Sequence, residues 1–349
     1  MTLARANARA VLGQREALLV ARRDDLGELG PGHGLAPRRE TGQQRLDARP
    51  SGTVELNAER RGVMPKTQRE QLAHADPLRA IHGAERNVYI RSVRTATVTE
   101  VIATLEGHVK QEPGGAIAFD GDGTLWSGDI GEDFFEALLD AGTLSEIAHV
   151  ALAVEASAEN LGVDGGAVAI ARRINASYHA GTFPEERVCE IMTWAFAGWL
   201  GPELDAFANR VVDKIALEGR FHAEAIRVVE WARSRALTTY LVSASPRAIV
   251  HQAARRVGID LANVASATEE RDANDLVLAS VVRPIPYGPG KVMQLRAKLG
   301  GRPLYAAFGD NAFDIPMLRE ARTPIAIRPK PRLVERAGEV TNLVVLERL

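Results

Sequence analysis

The sequence predicts an α/β protein: a parallel sheet with helices on both faces, interrupted by an inserted helical block. Three observations predict it. Short apolar runs alternate with helical patterns over most of residues 91–349, and strands alternating with helices of this length favour a parallel sheet covered on both faces. Residues 131–218 read as helix almost throughout, placed between a first and a second strand. Acids, hydroxyls and a lysine recur just beyond apolar runs, where open sheets of this kind gather their ligands.

Residues 1–88 stand apart. They hold no Phe, Tyr or Trp, Arg greatly outnumbers Lys, and Pro31-Gly32-His33-Gly34 and Arg49-Pro50-Ser51-Gly52 interrupt any helix. So little apolar area cannot offset chain entropy, and disorder is expected over 1–90. A basic arm for an acidic partner, a transit-like segment or a start nearer Met64 are the other readings. Hydrophobic content of 46% with 25% charged residues is ordinary for a globular chain, and a net charge of -2 gives no argument for nucleic acid. Cys189 is the only cysteine, which excludes an internal disulfide and fits a reducing, cytoplasmic setting. No apolar run approaches the roughly 18 residues of a membrane span.

The core is expected at 91–130 and 219–349. A helix over 98–110 carries Val98, Val101, Ile102, Leu105 and Val109 on one face. Ala116-Ile117-Ala118-Phe119 is a continuous apolar run bounded by glycines, hence a short buried strand. In the helical block, Phe134, Phe135, Leu138 and Leu139 form one apolar face. Residues 167–174, 185–199 and 203–215 suggest three further helices, with Pro184 and Pro202 in first turns. Trp194, Phe196 and Trp199 are expected to be the core of this block. The core then resumes with helix 223–233, strand 239–242, helix 246–257, and short strands near 264 and 276–282. Helix 291–299, strand 303–308, helix 315–321 and strand 324–327 complete it.

The chemistry concentrates in Asp120-Gly121-Asp122-Gly123-Thr124. Two carboxylates at i and i+2 fall on the same side of an extended chain, and the glycines allow a sharp turn and close approach to a ligand. Like charges so close call for a hard cation; the alternative is an ordinary Asp-Gly surface turn. Leu241-Val242-Ser243-Ala244-Ser245-Pro246 ends a strand in hydroxyls, Pro289-Gly290-Lys291 puts a lysine at a helix start, and Gly309-Asp310 through Asp314 ends another strand in acids. Ser245-Pro246 also reads as an N-cap followed by a first-turn proline, which leaves Ser243 for ligand contact. The scattered His149, His179, His222 and His251 lack metal-ligand spacing and read as structural or surface groups.

In this order the four stretches resemble the motifs of the haloacid dehalogenase-like phosphatase superfamily, over about residues 116–337, with a Rossmann-like core and the helical block as a cap. The resemblance implies Mg²⁺-dependent hydrolysis of a small phosphate ester. Asp120 would be the nucleophile that forms an aspartyl-phosphate, and Asp122 the general acid and base. Ser243, Ala244 and Lys291 would hold the phosphate, and Asp120, Asp122 (through its carbonyl), Asp310 and Asp314 would serve the metal, Asp314 through bound water or by holding Lys291. An alcohol acceptor in place of water would make a phosphotransferase of the same site, and a non-enzymatic binding protein working through its basic arm is the remaining alternative.

Within the superfamily the chain most resembles the phosphoserine phosphatase branch, in which an acid nine positions after the nucleophile pairs with the substrate ammonium. Asp129 occupies that place here, shorter than the usual Glu by about 1.5 Å, and reads equally as a helix N-cap. Phe313 stands where the branch favours Asn. Arg172, Arg173 and Arg187 are the candidates for a substrate carboxylate, and no oligomeric state follows from the sequence.

Overall fold

The computed structural model describes residues 94–349; the segment expected to be disordered lies outside the described residues. Seven strands form one parallel sheet, as expected. In chain order they are β1 (Arg94–Ala96), β2 (Ala116–Phe119), β3 (Thr238–Pro246), β4 (Val264–Ala267), β7 (Leu304–Gly309), β8 (Thr323–Ile327) and β9 (Val344–Leu346), arranged β1-β9-β8-β7-β2-β3-β4. The alternation along β2 shows why both faces are covered. Ile117 and Phe119 join one apolar cluster while Ala116 and Ala118 join the other, because successive side chains leave opposite faces. Phe119 stacks on Phe308 of β7, with centroids 4.1 Å apart.

The helices around the sheet are α1 (Val98–Gln111), α7 (Ala223–Ser234), α8 (Arg247–Val257), α9 (Pro289–Leu299), α10 (Ile315–Glu320) and α11 (Pro331–Glu335). Thr97 caps α1 in a reciprocal box with Glu100. Between β2 and α7 lie α2 (Ile130–Ala141), α3 (Glu146–Ala158), α4 (Gly166–His179), α5 (Glu185–Trp194) and α6 (Gly201–Lys214). Phe134 of α2 stacks on Phe196 at 4.4 Å, and Trp194 is buried with them. These aromatics therefore fill the core of the helical block.

Several elements differ from expectation. The edge strand β1, its neighbour β9 and the helix α3 lie outside the elements expected from the sequence. Helix α5 ends at Trp194 instead of 199. Residues near 276–282 form β6 (Val277–Val281), which pairs antiparallel with β5 (Glu269–Arg271) in a separate hairpin, not in the main sheet. Main-chain bonds between Val277 and Gly198 and Trp199 tie this hairpin to the helical block instead. Finally, β3 runs on to Pro246, which pairs with Ala267.

Where the chain leaves β2 the order of strands reverses. From β2 it proceeds through β3 to β4 on one side, then returns to β7 on the other, and the carboxyl ends of β2, β7 and β3 border the resulting crevice. The helical block enters and leaves beside this point: Ser127 N donates to Arg220 O and His222 N to Leu125 O, each at 2.9 Å. Among the described residues no single helix is long and apolar enough to cross a membrane.

Candidate active site

Asp120 follows β2 directly, and its N–H still donates to Phe308 O at 2.9 Å, so the sheet itself fixes its position. The chain then closes a tight loop in which Thr124 N and Leu125 N donate to Gly121 O. Gly123 has φ +84, and a Cβ there would overlap the Asp310 carboxylate. Only glycine permits both the left-handed backbone and that approach.

Four of the expected side chains converge. Lys291, in the first turn of α9, donates to Asp120 Oδ1 and to Asp314 Oδ1, the latter at 2.6 Å. Thr124 Oγ1 donates to Asp120 Oδ2 at 3.1 Å. Carboxylate oxygens of Asp120, Asp310 and Asp314 lie within 4.8 Å of one another. All are buried, at 6%, 2% and 1% exposure, with Lys291 at 4%. Asp314 has both oxygens engaged, since Oδ2 accepts from Asp310 N at 3.0 Å and Asn311 N at 2.9 Å. Its carboxylate thus orients Lys291 and pins the loop that presents Asp310.

Asp122 lies outside the three-acid cluster. Its Oδ1 accepts from Trp126 Nε1 and Ile130 N, both at 2.8 Å, and its Oδ2 from Ser245 Oγ at 2.6 Å. This corrects the expectation for Ser245. It does not cap α8, whose N-cap is Pro246 with no side-chain bond; Pro246 extends the strand, which frees the Ser245 hydroxyl for Asp122. Ser243 Oγ accepts from Ser245 N at 3.1 Å and lies 3.4 Å from Asp122 Oδ2, beside half-buried Ala244.

Asp129 is the N-cap of α2, where its Oδ1 accepts from Glu132 N at 2.9 Å. Burial, with Asp122 and Glu132 near, pushes its carboxyl well above the usual range. Burial likewise raises Glu132, which faces Tyr178 and His179, and Glu185. The three candidate cap arginines are committed elsewhere: Arg172 to Glu136 and Asp140, Arg173 to Asp164, Arg187 to Glu155 and Glu190.

Lys330, outside the four motifs, also reaches the cluster. It follows β8, its N–H donates to Asp310 O at 2.7 Å, and its ammonium lies 2.9 Å from Asp310 Oδ2. The one available signal was its place just beyond an apolar strand, shared with the acids.

The electrostatics explain what the cluster requires. Burial raises Asp120 well above its usual value, reinforced by Asp314 and Asp310 and opposed by Lys291. Burial also pushes Asp310 up to about 7 against the pull of Lys330. Burial alone would favour a neutral Lys291, but Asp120 and Asp314 outweigh it and hold the lysine charged. Three buried acids (Asp120, Asp310, Asp314) face two ammonium groups, which leaves one carboxylate without its own cation in a buried site. Buried charge of one sign needs a counterion, and an all-oxygen donor set of this charge fits a hard divalent cation.

Residues 117–319, more than half of the chain, match the haloacid dehalogenase-like hydrolase family. The chain belongs to that family. As a haloacid dehalogenase-like hydrolase it shares its fold with a protein with unknown function from Bordetella pertussis Tohama I. That structure is 20% identical at TM-score 0.53, the match covering 66% of this chain and 97% of that one. A conserved functionally unknown protein from Anaerococcus prevotii DSM 20548 is 12% identical at TM-score 0.52, with 70% and 90% covered. A substrate-bound phosphoserine phosphatase also matches, 16% identical at TM-score 0.42, with 68% and 95% covered. No curated protein matches the chain.

Proposed function

We propose that this hydrolase is a Mg²⁺-dependent phosphomonoesterase that works through an aspartyl-phosphate on Asp120. The observation that carries the proposal is the convergence of Asp120, Lys291, Asp310 and Asp314 at the carboxyl ends of β2 and β7. A phosphate monoester is a dianion that repels nucleophiles, so cleavage needs charge cancellation and an aligned attacking oxygen. Asp120 and Asp310 would hold Mg²⁺, which when bound supplies charge neutralisation at the phosphoryl oxygens.

The chain's own groups account for the remaining tasks. An Asp120 carboxylate oxygen attacks phosphorus while the ester P–O bond breaks, and the leaving alkoxide takes a proton from Asp122. Asp122 then accepts the proton of a water that attacks the aspartyl-phosphate, which releases inorganic phosphate and restores Asp120. Positioned proton transfer of this kind contributes roughly 10²–10⁴-fold. The transferable proton belongs on Oδ2, because the N–H donors on Oδ1 cannot accept a proton's hydrogen bond, whereas the Ser245 and Ser243 hydroxyls facing Oδ2 can rotate to accept one. Ser243, whose oxygen accepts from Ser245 N, donates a long 3.4 Å bond to Asp122 Oδ2 and would turn that hydroxyl to a phosphate oxygen. Lys291 balances charge on Asp120 and on the phosphoryl group.

The substrate we infer is a small phosphate ester bearing an amino group. Asp129, Glu132 and Glu185 form an acidic wall on the helical-block side, and the cap arginines are paired elsewhere, so the wall suits an ammonium better than a second anion. A panel of phosphorylated metabolites with free phosphate as readout tests this. Amino-alcohol phosphates should turn over best, and Asp129→Ala should raise KM for them at least tenfold with little change for neutral esters. Equal effects on both classes would leave Asp129 as a helix cap alone, and no phosphate release from any ester would sink the phosphatase reading.

A further inference from the structure

Two lysines neutralise the acidic centre, and they are held very differently. Lys291 is buried at 4% and gripped by two carboxylates. Among the described residues Lys330 pairs only with Asp310, and its side chain is 51% exposed against 3% for its partner. A half-exposed ammonium on a flexible four-carbon stem can return to water at small cost, whereas a buried one cannot. Asp310, by contrast, cannot be left alone, because an unpaired buried carboxylate is strongly disfavoured. It is also one of the two acids assigned to the metal, so the lysine and a divalent cation want the same oxygens.

We propose that Lys330 is an exchangeable counterion: its ammonium occupies the Asp310 carboxylate when no divalent cation is bound, and cation binding displaces it. Lys330 thereby lowers metal affinity and stabilises the metal-free protein. Its backbone stays in place during the exchange, since the N–H bond to Asp310 O does not involve the side chain. The displaced ammonium keeps acidic company, with Asp120, Asp129 and Glu185 all within electrostatic reach. The inference rests on the site reading above, and the test separates the two.

The probe is Mn²⁺ titrated into the full chain after chelator treatment, followed by calorimetry or electron paramagnetic resonance, with thermal unfolding of metal-free and loaded protein. Lys330→Met should bind Mn²⁺ at least tenfold more tightly. Its metal-free form should melt lower than wild type while the loaded forms melt alike; Lys330→Gln should behave in the same way. Mn²⁺ affinity unchanged or weakened in both variants would overturn the proposal while leaving the site intact. Asp310→Asn is the control. It should abolish Mn²⁺ binding, and undiminished binding would overturn both the metal site and the role of Lys330.

Discussion

Gly123 offers a perturbation whose size can be worked from the structure. Two separate penalties meet at this residue. Its φ of +84 costs a residue with a side chain about 1–2 kcal/mol. The added methyl would also overlap the Asp310 carboxylate, so Asp310 or the Asp120 loop must move by about 1 Å, and a misplacement of that size costs about 10²-fold in rate. Gly142, the left-handed C-cap of α2 with φ +67, isolates the first penalty because nothing lies within 4 Å of a Cβ there. Gly142→Ala should therefore lose about 1–2 kcal/mol of stability with unchanged turnover, while Gly123→Ala loses more stability than that and, in addition, about 10²-fold in phosphate release from an aryl phosphate. If Gly123→Ala keeps kcat/KM within about threefold of wild type, the two acidic loops are not held in the tight register claimed.

Two further perturbations probe the surroundings. Ser245→Ala removes the 2.6 Å bond to Asp122; hydrogen bonds to charged groups are worth roughly 1.5–3 kcal/mol, so kcat should fall about tenfold or more with KM little changed. An unaltered kcat would show that Ser245 does not position Asp122. His222 is buried, its Nδ1 lies 3.0 Å from Thr124 O, and burial with Arg328 and Arg348 lowers its pKa to about 4 against the opposing pull of the Thr124 carbonyl and Glu224. The unfolded chain, with His near 6.5, takes up the proton first on acidification, so this stability is complete above pH 6.5 and is lost as pH falls towards 4. It amounts to roughly 3 kcal/mol. Thermal unfolding of His222→Gln between pH 7.5 and 4.5 should be less pH-dependent than wild type, and parallel curves would contradict the assignment.

Much of the site is legible in the sequence because its acids follow buried apolar strands directly. Phe119 and Gly309 end such strands, so Asp120 and Asp310 had to emerge at a carboxyl edge. Other features carry no local mark. Ser245-Pro246 has the chemistry of a helix start, and only the pairing of Pro246 with Ala267 shows that the strand continues past it. Helix α3 is rich in alanine all round, with Val150 and Val154 exposed, so it lacks the apolar contrast that betrays an amphipathic helix. The edge strand β1 and its neighbour β9 are three residues each, too short for a periodicity. Lys330 resembles any exposed lysine until the fold brings Asp310 beside it.

The central claim is that Asp120 becomes covalently phosphorylated. Acid-quenching the Mg²⁺-supplied enzyme during turnover of an aryl phosphate, then mapping peptides by mass spectrometry, tests it directly. The account predicts one phosphoryl group on the peptide containing Asp120, with both the adduct and phosphate release lost in Asp120→Asn. Undiminished Mg²⁺-dependent phosphate release by Asp120→Asn, or a phosphoryl group trapped on another residue, would contradict it.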